Sequence, residues 1–366
     1  MGARSLNLIR TGAVLAFSGI VTGAPAQTAQ PVPTAPPPAE AVQPALEDPK
    51  PAPLQQELGA PVTSTKQDRP KSAGDNNSAD PINPTRFGQA PADDAFGAYQ
   101  RGLYKTAYNL ALPRAEAGDS AAQVLLAEIL ARGLGTPVNM AESAKWYGKA
   151  AEQGVPEAQF RYAAILLQGR YAPKDPKKAK ELTKAAADKG NAAAEFNYGQ
   201  ILMQERPGSA GIENAYPWFL KAADKGLADG EYAVSQVLAN GTPTIPRDMA
   251  KAREYLIKAA VKGYDTAQLD LGSWLVAGLG GPHEYKAGFG WMLRAATSGN
   301  VAAQARLAKL YRDGIGVEGD FIKAAAWYIA AKRAGLNDPD LESFMDGLDD
   351  DQKSQAIAEA NKLQFR

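Results

Sequence analysis

Small, bulky and polar positions recur along this chain with a fixed period. Gly118 comes back as Gly154, Gly190, Gly226, Gly263, Gly299 and Gly335, at spacings of 36 with a single 37 between Gly226 and Gly263. Eight residues before the glycine stands a large side chain: Trp146, Leu182, Trp218, Tyr255, Trp291 or Trp327. Four before it stands alanine, from Ala150 through Ala331. Positions −8 and −4 share one helical face. A helix is therefore predicted to end at each glycine, which takes the first position past the helix, where φ turns positive. Beyond the glycine, +4 and +9 are small and +8 and +12 are large, as in Ala158, Ala163, Tyr162 and Leu166. These four make one buried stripe on a second helix. A Gly/Pro-rich loop such as Gly133-Leu134-Gly135-Thr136-Pro137 closes the unit.

Two antiparallel helices repeated at this interval predict a stack in which each unit packs only on its neighbours. The fold class is all-α: an α/α solenoid of about seven ~36-residue helix pairs. The ends differ from the middle. The first pair carries Pro113, and Asp349-Asp350-Asp351 precede a stretch over 352–364. Aspartates at a helix start satisfy its free N–H groups and suit its dipole, so this stretch is predicted to be a C-terminal cap helix. Ile357, Ala360 and Leu363 are the face expected to cover the last repeat.

The pattern resembles the Sel1-like repeat family, a branch of the tetratricopeptide-type solenoids. The residues that carry the likeness are Lys145-Trp146-Tyr147-Gly148-Lys149-Ala150-Ala151-Glu152-Gln153-Gly154 and the Gly-x-Gly loops at Gly133/Gly135, Gly278/Gly280 and Gly314/Gly316. It extends over residues 93–366. The third unit departs from it, since 204–214 lacks Gly-x-Gly and holds Pro207 and Gly208. The fifth pair has one extra residue, and Lys332 replaces the alanine at −3 of the last unit.

The resemblance implies a right-handed superhelix whose first helices line a concave side. On that basis +6 points inward and holds Phe160, Phe196 and Tyr232. Arg161 and Asn197 stand beside them at +7, and Gln200 and Gln236 at +10. Rings backed by amides and a guanidinium suit an extended peptide or a partner helix. The same rings also suit ordinary packing between helices, and the sequence leaves both readings open.

Composition narrows the chemistry. With no cysteine and one histidine, His283, there is no thiolate nucleophile, no disulfide and no histidine metal cluster. The Gly-x-Gly loops follow no strand and lack a third glycine, so they are not a nucleotide fingerprint. His283 reads as a surface or loop-packing residue, and the five tryptophans, mostly at one repeat position, read as core. No catalytic residue, metal ligand or cofactor is expected, and the chain reads as a non-enzyme. Lys+Arg and Asp+Glu are 40 each, which leaves no overall basic field for nucleic acid.

The chain begins with Arg4 and Arg10, then an apolar stretch over 13–24 and Ala24-Pro25-Ala26. That is the layout of a Sec signal peptide over residues 1–26, too short to span a bilayer. No stable membrane insertion is expected after cleavage. Residues 27–92 are rich in Pro, Ala and polar residues, the composition of a disordered linker. A periplasmic location follows as the expectation. Secreted members of the resembled family look like adaptors or regulators, which implies a scaffold for a protein or peptide of the cell envelope, with envelope signalling or exopolysaccharide control as candidate processes. The alternatives are a secreted enzyme acting on β-lactam or peptidoglycan compounds and a peptidoglycan-binding module.

Overall fold

The computed structural model describes residues 93–363, and every regular element among them is an α-helix. The signal-peptide and linker expectations lie outside the described residues. A leading pair, α1 (Asp94–Gln100) and α2 (Tyr104–Glu116), is followed by six regular units. These are α3 (Ser120–Arg132) with α4 (Met140–Glu152), α5 (Pro156–Gln168) with α6 (Pro176–Asp188), and α7 (Ala192–Glu205) with α8 (Ser209–Asp224). Then come α9 (Ala228–Asn240) with α10 (Met249–Val261), α11 (Asp265–Ala277) with α12 (Tyr285–Thr297), and α13 (Val301–Asp313) with α14 (Phe321–Arg333). From α1 to α14 each helix packs on the next, which is the one-dimensional connectivity of a solenoid.

Local chemistry fixes the ends of the units. At Gly154 φ is +81°, its N–H reaches Ala151 O at 2.9 Å, and the Val155 N–H reaches Ala150 O at 3.2 Å. This is the paired closure that a left-handed residue allows after a helix. Asp175, Asp248 and Asp320 cap the next helix starts with their carboxylates. The loops also explain their second glycine. A Cβ on Gly135 would lie 2.8 Å from the Lys105 backbone nitrogen, so the loop can rest on the first turn of α2 only without a side chain.

The core is displaced by one residue from the sequence expectation. Position −7 is buried in every unit, as Tyr147, Thr183, Phe219, Leu256, Met292 and Tyr328. Position −8 is buried at Trp146, Leu182 and Trp327, but only half-buried at Trp218, Tyr255 and Trp291. Trp274 is also half-buried, so the reading of all five tryptophans as core is corrected. The outward part of the −8 ring is covered by the cation three residues on. Lys149 lies 4.1 Å from the Trp146 ring centre and Lys221 lies 4.0 Å from that of Trp218, while Lys258 and Arg294 cover Tyr255 and Trp291. A ring with an ammonium over its face keeps a favourable contact without full burial. The −7 side chain instead lies over the small +9 residue. A Cβ on Gly199 would come within 2.6 Å of the Phe219 ring, and one on Gly272 within 3.1 Å of the Met292 nitrogen.

The third unit is built differently. Three residues connect α7 to α8, with Gly208 at φ +97°, and α8 is 16 residues long where the second helices of the other five units have 13. At the far end, an eighth pair follows the seven expected. It consists of α15 (Pro339–Asp346), which the periodicity does not reveal, and α16 (Asp350–Ala360), the expected cap helix. Asp349 and Gln352 form a reciprocal capping box at its start. The covering face is corrected: Ala356 and Ala360 are buried, Leu363 is partly buried, and Ile357 is 48% exposed. Alanines at i and i+4 let α16 approach α14 closely. No helix among the described residues is long and apolar enough to cross a membrane.

Candidate functional site

Two rows of polar residues run along the first helices of the units, and they serve different ends. The first row was not recognised in the sequence. At +5 stand Gln123, Gln159, Glu195, Glu231, Gln268 and Gln304, all buried. Four of them donate from Nε2 to a carbonyl at the end of the preceding helix: Gln123 to Ala115 at 3.0 Å, Gln159 to Ala151 at 3.4 Å, Gln268 to Ala260 at 3.1 Å and Gln304 to Ala296 at 3.3 Å. Each thereby adds a second bond to a carbonyl that already accepts from the glycine N–H closing the helix, and so fills its other lone pair.

Glu195 and Glu231 cannot donate in this way when ionised. Each instead takes the ammonium of a lysine one repeat later. Lys225 pairs with Glu195, and Lys262 reaches Glu231 Oε1 at 2.5 Å and Gly226 O at 2.8 Å. In the sequence, Gln or Glu stands five residues after the repeat glycine in all six units, so the signal is periodic. A polar residue within an apolar stripe does not announce whether it is buried.

The second row is the candidate site. Positions +3, +6 and +10 lie opposite the buried stripe on a helix of 3.6 residues per turn, and +7 lies at their edge. The rings expected to point into a groove are half-buried. Phe160 and Phe196 pack against the core, and Phe196 lies 5.5 Å from the Phe219 ring, centre to centre. The Tyr232 ring lies 4.9 Å from Tyr264, and its hydroxyl donates to Asp270 Oδ2 at 2.9 Å. Part of each ring packs between helices and part remains accessible, which leaves both readings open. Arg161 is drawn along its own helix to Glu157, with Nε at 2.7 Å.

At +10 the row reads Glu128, Ala164, Gln200, Gln236, Ser273 and Lys309, all half-buried. Its ends are engaged. Glu128 accepts from the Tyr147 hydroxyl at 2.9 Å, Ser273 accepts from Arg306, and Lys309 pairs with Asp338 at 2.8 Å and Asp340 at 3.1 Å. In the middle, the side-chain amides of Asn197, Gln200 and Gln236 have no hydrogen-bond partner among the described residues.

Asp270 borders this stretch. Burial raises its carboxyl pKa, which the Tyr232 hydrogen bond and Arg306 only partly offset. Burial and the neighbouring Asp270 carboxylate push the Tyr232 phenol up, so it stays protonated and donates. An acid whose pKa is higher folded than unfolded holds its proton more tightly in the fold. Its ionisation therefore removes stability as pH rises from the unfolded carboxylate range through the raised value. Asp270→Asn is expected to melt near wild type at low pH and progressively above it as pH approaches neutrality. Thermal melts across pH check this, and a pH-independent difference would contradict it.

His283 is placed as the sequence suggested. Its Nδ1 lies 2.8 Å from Val276 O, its ring faces Gly278, and it stacks on Tyr285 at 5.3 Å.

The Sel1 repeat family matches residues 120–155, 156–191, 192–227, 228–264, 266–300 and 301–336. The matches begin at α3 and end just past α14, so α1–α2 and α15–α16 flank them. A Sel1 repeat protein from Oxalobacter formigenes is similar in structure, with a TM-score of 0.57 and 26% identity over 67% of this chain and 98% of that one. A protective antigen of uropathogenic Escherichia coli strains, which displays an SLR fold, is similar at a TM-score of 0.51 and 27% identity over 70% of this chain. The matched part spans 63% of that antigen, less than two thirds of its length. No curated protein sequence matches the chain.

Proposed function

Because the chain belongs to the Sel1 repeat family, whose members are generally protein-interaction scaffolds, we propose that it holds an extended peptide segment of a protein partner against α5, α7 and α9. The observation that carries this reading is the set of three half-buried amides, Asn197, Gln200 and Gln236, left without partners where the other polar members of the +10 row are engaged. A primary amide offers both a donor and an acceptor, the complement of a peptide backbone. Amides half-removed from water and unpaired gain most from a ligand that completes them.

Beside them, the accessible parts of Phe160, Phe196 and Tyr232 supply apolar anchors. The Arg161 nitrogens not turned to Glu157 supply a donor for a partner carboxylate. The partner is a protein or peptide of the cell envelope, with the chain itself delivered to the periplasm by residues 1–26. The signal-peptide layout of the sequence supports that address. Roles in envelope signalling or exopolysaccharide control are consistent with it.

The test is capture of partners from an envelope extract by full chain expressed in its own compartment. The recovered chain is expected to begin at Gln27 in the osmotic-shock fraction. Asn197→Ala, Gln200→Ala and Gln236→Ala combined should weaken capture at least tenfold, with a change in stability under ~1 kcal/mol, as for surface positions without a structural partner. Undiminished capture by the triple variant would remove this face as the site. Recovery with Met1 intact in the membrane pellet would remove the address.

A further inference from the structure

A second surface lies on a different side of the molecule, along the edge formed by the loops that join the two helices of each unit. All of these loops lie at one edge because the helices alternate in direction. The edge is charged unevenly. The loop-side residues 168–180, 204–214 and 241–252 contain eight Lys or Arg against four Asp or Glu, in a chain whose overall charge is zero.

The acids there are already engaged. Asp175 and Asp248 cap α6 and α10, Glu205 pairs with Lys180 at 2.5 Å, and Glu213 accepts from the Thr244 N–H at 3.2 Å. Of the eight cations, Lys178, Lys180 and Lys251 are paired with Glu181, Glu205 and Asp248, and the other five are not. Lys174, Lys177, Arg206 and Arg247 are exposed and have no ion-pair or hydrogen-bond partner for their side chains among the described residues, and Arg170 is only stacked on Tyr171 at 5.2 Å.

The three segments that carry these five side chains are tied to one another in succession. The Lys180–Glu205 pair ties the start of α6 to the end of α7, and the Thr244–Glu213 bond ties the α9–α10 loop to the first turns of α8. Arg170, Lys174 and Lys177 thus stand on one side of the α7–α8 connection and Arg247 on the other, with Arg206 on the connection itself. That connection is only three residues long, where the α3–α4 and α5–α6 loops have seven. The longer α7 and α8 make up the difference, so Arg206 stands on a tight turn between the two flanking cation-bearing segments.

We infer that this stretch of the loop edge is a docking site for an acidic segment of a partner polypeptide, separate from the amide face. Charge complementarity identifies the occupant. Arginines pair carboxylates in two-pronged fashion, and the five cations come from three separate segments, spaced for carboxylates that are themselves spaced along a chain. The four intervening acids disfavour a uniformly charged polyanion, which would place phosphates or sulfates against them. The site contains one aromatic, Tyr171, which is already covered by Arg170, so the recognition is by charge and not by an apolar anchor.

Fluorescence anisotropy of the full chain with a labelled peptide of alternating Asp and Ser tests this, with heparin as the competing ligand. Binding is expected at about 50 mM salt and should fall at least tenfold by about 300 mM. Arg170→Gln, Lys174→Gln, Arg206→Gln and Arg247→Gln combined should weaken it at least tenfold with an unchanged melting temperature. If that variant does not fold, Lys174→Gln with Arg247→Gln serves and should weaken binding at least threefold. Lys105→Gln with Lys286→Gln removes two exposed cations elsewhere and should leave binding unchanged. No binding at low salt, equal loss in the Lys105/Lys286 control, or heparin binding as tight as the peptide would each overturn the inference.

Discussion

Replacing Phe219 by alanine is expected to cost ~3–5 kcal/mol, the range for a buried phenylalanine truncated to a cavity. Phe219 is 2% exposed, lies over Gly199 and meets the Phe196 ring, so its removal leaves a space enclosed on all sides. Trp218, one residue earlier and much larger, should cost less, ~2 kcal/mol, because part of its ring already faces water under Lys221 and its removal opens a groove rather than a cavity. Denaturant unfolding of the two variants side by side decides between the packing seen here and the one the tryptophan pattern suggested. A larger loss for Trp218→Ala than for Phe219→Ala would mean that −8 is the core position after all.

Lys225→Met is expected to destabilise the chain by ~2 kcal/mol, and adding Glu195→Gln should recover most of that loss. Glu195 is 1% exposed, and Lys225 is the group that balances its charge. Removing the cation leaves a carboxylate in the core with one oxygen already unpartnered. The cost is set below that of a fully buried pair because the Lys225 side chain is itself well exposed. In the double variant the introduced glutamine side chain is neutral and can donate to the carbonyl at the end of α6, as Gln123, Gln159, Gln268 and Gln304 do at the same repeat position. Equal melting of the single and double variants would show that the charge at 195 is not what Lys225 serves.

That pair of residues shows where the sequence stops being legible. Gln or Glu at +5 is visible in every unit five residues past the repeat glycine, yet its burial is set by the preceding helix end, which only packing brings over it. The lysine that answers Glu195 comes from the next repeat, 30 residues on. The candidate face behaves similarly. Phe160, Phe196 and Tyr232 were identifiable as a row because equal repeat positions stack. Whether each ring is groove or core depends on its neighbours: Phe219 takes part of Phe196, and Asp270 takes the hydroxyl of Tyr232. The unpartnered state of Asn197, Gln200 and Gln236 is a property of the whole row and has no counterpart in any single residue.

The sequence by itself determined the repeat, its length, the two helices per unit, the positive-φ glycine that ends each unit and the cap at Asp349. All of these rest on interactions within a few residues: helical periodicity, backbone sterics at glycine and a carboxylate capping the next turn. Tertiary structure decided the rest. It buried −7 in every unit but −8 in only three, because Phe219 drops onto the small +9 residue Gly199 while Trp218, Tyr255 and Trp291 keep an outward part covered by their own lysine or arginine. It placed α15, whose eight residues carry too little apolar pattern to be seen without Lys309 and Arg312 to hold Asp338 and Asp340. It turned Ala356 inward and Ile357 outward, because α16 must approach α14 closely and only alanine permits that distance. In each case the outcome depends on the shape and charge of a side chain distant in sequence, and a periodic pattern read along one chain carries no record of it.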